Sequence, residues 1–244
     1  MKNDSFTFYK KKFRKYIILI IVTCIFAIHE IPADLTFFES FSYIFFGLIF
    51  PILSYLIYAA YTFDLMQYYD KNQMYFLRYN NKKEYIEKLL KFCFRNLILF
   101  FCTFTFILFL FTFSYFLLHG YPILTNAKEI IYFLLTLYDI FKVFVMTLLI
   151  LYIGILLSKS FGKKVGVIFL LLIELVKYGW SYTTAIVDSF SKIHLFYGYY
   201  FLRINYNTIF LDIFAFTLQV IILLSIVELT KYLILKYKKI YIED

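Results

Sequence analysis

The chain has 244 residues and a formal net charge of +9; 63% of its residues are hydrophobic and 24% aromatic. A soluble domain averages about half apolar, so this composition, with a mean hydropathy of +0.77, excludes a soluble globular fold. It leaves too little polar chain for a separate soluble domain, and we expect one all-α, polytopic membrane domain over residues 1–244.

The 33 Phe and 25 Tyr, beside 7 Gly and 3 Pro, depart from the small-residue enrichment of membrane helices. The AT-rich codons of Phe, Tyr, Ile, Lys and Asn account for that excess without a functional aromatic lining. Cys24, Cys93 and Cys102 form no C-x-x-C pattern and read as small apolar residues rather than a redox or zinc site.

In chain order, residues 5–16 place Phe6, Tyr9, Phe13 and Tyr16 on one helical face, with Lys10, Lys11, Lys12, Arg14 and Lys15 around the rest. Such a helix lies in the headgroup layer. Six spans are expected after it, near 16–31, 41–65, 94–118, 130–157, 165–187 and 209–235. The first is slightly short for the ~20 residues that a helical crossing needs. Pro51 is expected to kink the second. The fifth carries Glu174 and Lys177 at its centre. The stretch Asp188–Thr208 is too aromatic for a water-exposed loop and is expected to fold back on the membrane surface as a re-entrant element.

With the N-terminus in the cytoplasm, twenty Lys and Arg fall on the cytoplasmic side and three, Lys128, Lys192 and Arg203, on the other. This bias places both termini in the cytoplasm of a multi-pass protein. It also accounts for the net charge, so no nucleic-acid partner is implied.

No P-loop, H-E-x-x-H or G-x-S-x-G motif is present, and no catalytic residue or metal site is expected. His29, His119 and His194 fall separately at the outer surface. Ionisable residues within spans are costly unless paired or hydrated. Asp139 and Lys142 are three apart in the fourth span, and Glu174 and Lys177 three apart in the fifth. Each pair can meet on one helix face. They read either as self-neutralised pairs facing protein or as a polar belt beside a substrate path.

The longest polar run, residues 70–91, joins the second and third apolar stretches. Asn81 and Glu84 fit a helix cap. Tyr85, Ile86, Leu89 and Leu90 form the apolar face of the helix that follows, and Glu84–Lys88 and Glu87–Lys91 have ion-pair spacing. Ahead of them, Met74, Tyr75, Phe76, Leu77, Arg78 and Tyr79 form an apolar and basic knob that no water-exposed linker needs.

The run Leu77-Arg78, Tyr79-Asn80-Asn81, Lys82-Lys83, Glu84, Tyr85 resembles the loop between the second and third spans of type-2 ABC exporter permeases. The resemblance is to the small six-span subunits of Gram-positive bacteria, and in plan it extends over the whole chain. It implies a coupling loop in which Met74–Tyr79, Lys82, Lys83 and Tyr85 meet a separate cytoplasmic ATPase. It further implies a second permease copy, membrane lipids as surroundings, and a bacterial plasma membrane. No cofactor is implied on this chain; ATP and Mg2+ belong to the partner ATPase. The expected function is ATP-driven export of an amphipathic cargo: a peptide, including antimicrobial peptides, a lipid or a drug-like compound. The first outer loop is short and no large extracellular domain is present, which leaves the cargo open. The alternatives are a membrane-embedded enzyme acting on lipids or isoprenoids, and an immunity or accessory membrane protein that needs no ATPase.

Overall fold

The computed structural model describes residues 2–29, 31, 35–46, 49–71, 81–121, 123, 128–186 and 209–237. The described residues form seven helices and no strand: α1 Lys2–His29, α2 Phe37–Phe46, α3 Ile49–Lys71, α4 Lys82–Leu118, α5 Lys128–Phe161, α6 Lys163–Ile186 and α7 Ile209–Tyr237. The all-α expectation holds. The division into six spans does not. Among the described residues, three helical segments are long and apolar enough to cross a membrane: Lys82–Leu118, Phe133–Phe161 and Phe216–Lys236.

The departures have local causes. The expected headgroup helix and first span are not separate elements. They join in α1, which contains no Gly or Pro to break it, and whose apolar part, Lys15–His29, is shorter than a crossing needs. The expected second span falls across α2 and α3; residues 47 and 48, between the two, and the Pro51 side chain lie outside the described residues, and the expected kink with them. α3 also carries Asp64, Gln67 and Asp70 among five tyrosines, which dilutes its apolar character. α6 occupies the expected fifth span, with Glu174 buried in it.

α2 begins with one half of a capping box, the reach of the Glu39 side chain back to Thr36. The Thr36 backbone N–H and hydroxyl both donate to Glu39 Oε2, at 3.1 Å each. α4 has 37 residues, about 55 Å at 1.5 Å per residue, against a hydrocarbon core of ~30 Å. Its first turns, Lys82 to Arg95, are the polar surplus.

Aromatic contacts join α1, α3 and α4. Tyr61 stacks on Phe100 at 4.1 Å, and Tyr16 meets Tyr61 edge-on at 5.3 Å. α5 and α6 form an antiparallel hairpin that reverses at Gly162, whose φ of +91° is the left-handed region that glycine accepts without strain. The hairpin is close-packed, because a Cβ at Gly166 would lie 1.8 Å from Ser158 Oγ and 2.7 Å from the Gly154 carbonyl oxygen. Small residues let membrane helices approach to this distance. α7 packs chiefly on α5, burying Phe216, Leu223, Val227 and Ile234 while Phe210, Phe214, Ile221 and Leu229 remain exposed. Charged Asp139, Lys142, Lys159 and Glu174 are buried while large aliphatic and aromatic side chains cover the outside. That arrangement suits hydrocarbon as the solvent.

Candidate functional site

The polar loop is rooted in α3 and α4, and both roots meet at one carboxylate. Asp70 is in the last turn of α3, Tyr85 in the first turns of α4 and Lys159 near the end of α5; they are 3%, 2% and 1% exposed. The Tyr85 hydroxyl donates to Asp70 Oδ1 at 2.6 Å, and Lys159 Nζ pairs with Asp70 Oδ2. Both carboxylate oxygens are therefore engaged, and the Lys159 ammonium lies 5.9 Å from the Tyr85 ring centroid. A buried carboxylate held by one cation and one hydroxyl is satisfied only while all three helices keep their places.

Surrounding contacts fix the same register. The Tyr69 ring lies 5.8 Å from Tyr85 and 5.2 Å from Phe92. The Tyr152 hydroxyl donates to the Leu90 carbonyl at 3.3 Å, a direct bond from α5 to α4. α4 starts as its sequence suggests: Asn81 Oδ1 accepts the Glu84 N–H at 2.8 Å, and Lys88 pairs with Glu84 at 2.6 Å. Glu87 pairs across the fold with Lys231 of α7 at 3.6 Å. In α1, Lys15 reaches Asp64 of α3 at 3.3 Å, and the Tyr16 hydroxyl donates to the same carboxylate at 2.9 Å. These pairs gather the start of the apolar part of α1, the end of α3, the start of α4 and the ends of α5 and α7 at one end of the bundle.

Of the residues singled out in the loop, Met74, Tyr75, Phe76, Leu77, Arg78 and Tyr79 lie outside the described residues. Lys82 and Lys83 are exposed in the first turn of α4. Tyr85 points inward, and its hydroxyl serves Asp70 rather than an outer surface. Asp139 and Lys142 do meet, at 3.0 Å and with both side chains buried, and the ammonium lies 4.6 Å from the Tyr138 ring centroid. Glu174 is buried in α6. The Lys177 side chain, and with it the Glu174–Lys177 pairing, lies outside the described residues. One turn before Glu174, the Leu170 carbonyl accepts from the Tyr55 hydroxyl at 3.1 Å, which links α3 to α6.

Counted from the turn at Gly162, Glu174 and Asp139 stand at levels about 16 Å apart along the α5–α6 hairpin. The two acidic sites therefore occupy different depths.

The sequence reading did not join Asp70 to Lys159. In the sequence, Asp70 stands at the edge of one polar loop and Lys159 at the edge of another. The available local signal was that Lys159 follows an unbroken apolar run and lies between Ser158 and Ser160, where a lysine meets neighbouring helices rather than water. Among the described residues, no three His, Cys, Asp or Glu side chains gather as a metal site requires. Comparison with models of known families, with curated proteins and with solved structures finds no match for this chain.

Proposed function

We propose that this chain is the membrane-embedded permease subunit of an ATP-driven exporter of the ABC type, and that the loop at 70–91 receives the mechanical input of a separate cytoplasmic ATPase. The observation that carries this reading is the shared carboxylate of Asp70. It ties the roots of the loop, in α3 and α4, to the end of α5. A displacement imposed on the loop cannot be absorbed at its ends, because moving either root breaks a buried hydrogen bond or ion pair. It passes to α5 and, through the tight α5–α6 crossing, to α6.

The exposed Lys82 and Lys83 at the loop's distal root offer positive charge to an acidic partner surface. The apolar residues Phe76 and Leu77 are the anchors in this reading. In it the chain is multi-pass in the bacterial plasma membrane, with the polar end of the bundle and both termini cytoplasmic. The ion pairs Lys15–Asp64, Asp70–Lys159 and Glu87–Lys231 lie at that polar end. A second permease copy completes the path, the cargo is amphipathic, and ATP and Mg2+ stay on the ATPase.

The test is purification of the tagged full-length chain from its native membrane. A stoichiometric ATPase that leaves with the chain supports the reading. A chain that purifies without any ATPase, from membranes where it is active, contradicts it.

A further inference from the structure

A half-open cavity of about 340 Å³ lies between α2, α4 and α5, away from the Asp70 network. Six phenyl rings, Phe38, Phe41, Phe101, Phe106, Phe109 and Phe133, supply much of its wall. Several are held by other rings. Phe38 meets Phe133 at 5.2 Å, Phe41 meets Phe109 edge-on at 5.6 Å, and Phe101 meets Phe144 at 4.7 Å. The wall is thus braced before anything enters, which lowers the ordering cost of binding.

Among the described residues, no charged side chain lines the cavity. Of its few polar groups, the Thr136 hydroxyl is already donated to the Phe38 carbonyl at 3.2 Å. The buried Asp139–Lys142 pair is not part of the lining; along α5 Lys142 falls on the side opposite Phe133, Leu137 and Ile140, and Asp139 falls to one side of that face. A headgroup would therefore find no counter-charge, whereas a hydrocarbon loses nothing by entering. The rim is formed by Phe106, Phe133 and Leu137, which are 60%, 41% and 47% exposed. They lie on α4 and α5, two of the helices long and apolar enough to cross a membrane. The mouth accordingly opens towards hydrocarbon rather than water. The volume is near the lower end of ligand pockets, ~300–1,000 Å³, which suits one chain and not a whole lipid.

We propose that this cavity is a binding site for a single acyl chain of a membrane lipid, entering sideways between α4 and α5. The proposal rests on placement of the chain in a bilayer, not on the exporter reading. The bland competitor is ordinary lipid coating, which would treat every exposed apolar face alike. The outward face of α7, with Phe214, Leu218 and Ile221 exposed, is the internal control.

The experiment uses full-length protein in vesicles of phosphatidylethanolamine and phosphatidylglycerol. The vesicles are doped with a phosphatidylethanolamine that carries a diazirine at the end of one acyl chain. After irradiation, adducts are mapped by peptide mass spectrometry. We expect residues 101–109 and 133–140 to be labelled about fivefold more densely than the outward face of α7, the ratio for a preference near 1 kcal/mol. The excess should saturate with probe and fall when unlabelled lipid is added. Cys102→Phe, which fills the cavity from its lining, should remove the excess while leaving α7 labelling unchanged.

A second readout uses Cys102 itself. Cys102 is exposed, whereas Cys24 and Cys93 are buried, so the rate at which N-ethylmaleimide alkylates Cys102 reports whether the cavity is open. Lipid added to the protein in detergent should slow that alkylation, and the effect should saturate at low mole fraction. Equal labelling of α7 and the cavity, or an alkylation rate indifferent to added lipid, overturns the proposal. Absence of labelling on both faces would instead contradict bilayer placement.

Discussion

Lys159, near the end of α5, pairs with Asp70, at the end of α3, although 89 positions separate them in sequence. Both side chains are buried, and Tyr85 of α4 completes the set through a 2.6 Å hydrogen bond. Removing one member of a buried ion pair typically costs roughly 3–5 kcal/mol, because the other charge stays buried without its partner. Lys159→Met should therefore lower the unfolding midpoint in detergent sharply. Asp70→Asn combined with Lys159→Met should recover most of the loss, since replacing a whole buried pair is often close to neutral. Equal losses in the single and double variants would show that the pair does not hold these helices together.

Tyr85→Phe removes one hydroxyl and keeps the ring. Losing a hydrogen bond to a buried carboxylate costs about 1–3 kcal/mol, less than losing the cation. The proposed transmission makes a sharper statement. The variant should still bind the ATPase but show reduced transport per ATP hydrolysed, because the α4 root is no longer tied to Asp70. Unchanged coupling in a reconstituted assay would remove Tyr85 from the transmission path.

The α5–α6 crossing predicts a strong size limit at Gly166. A methyl there would meet Ser158 Oγ and the Gly154 carbonyl well inside contact distance, and overpacking costs roughly 1–3 kcal/mol. Gly166→Ala should destabilise the protein. Adding Ser158→Ala should relieve only part of the loss, because the backbone carbonyl remains. Full rescue would mean that the helices slide apart without penalty.

Local signals were the most legible part of the sequence. Asn81 and Glu84 announced the cap that starts α4, and the absence of breakers carried that helix into its apolar stretch. The Thr36-x-x-Glu39 spacing at the start of α2 is equally readable, although it falls where the sequence suggests a short outer loop. The Asp70–Lys159 pair was not legible, because nothing in a single sequence says which loop-end charge faces which helix. The aromatic excess was also opaque. Composition gives the number of phenylalanines, but only packing gathers Phe38, Phe41 and Phe133 against α4 around one cavity.

The Asp139–Lys142 pair, closed at 3.0 Å within α5, gives a test of charge inside the apolar part of the fold. If the two serve only each other, Asp139→Asn and Lys142→Met should each impair stability and transport, and the double change should restore both. A double variant that folds normally and fails to transport would place the pair on the cargo path.

The most direct test of the coupling claim is Phe76→Ala with Leu77→Ala in the full-length chain, read by ATPase co-purification and transport together. Interface energy concentrates in a few buried anchors, and truncating one commonly costs about 2 kcal/mol or more, roughly thirtyfold in affinity. The account predicts a protein that inserts and folds as the parent does, releases the ATPase and no longer transports. A doubly substituted protein that keeps its ATPase and transports normally would contradict it.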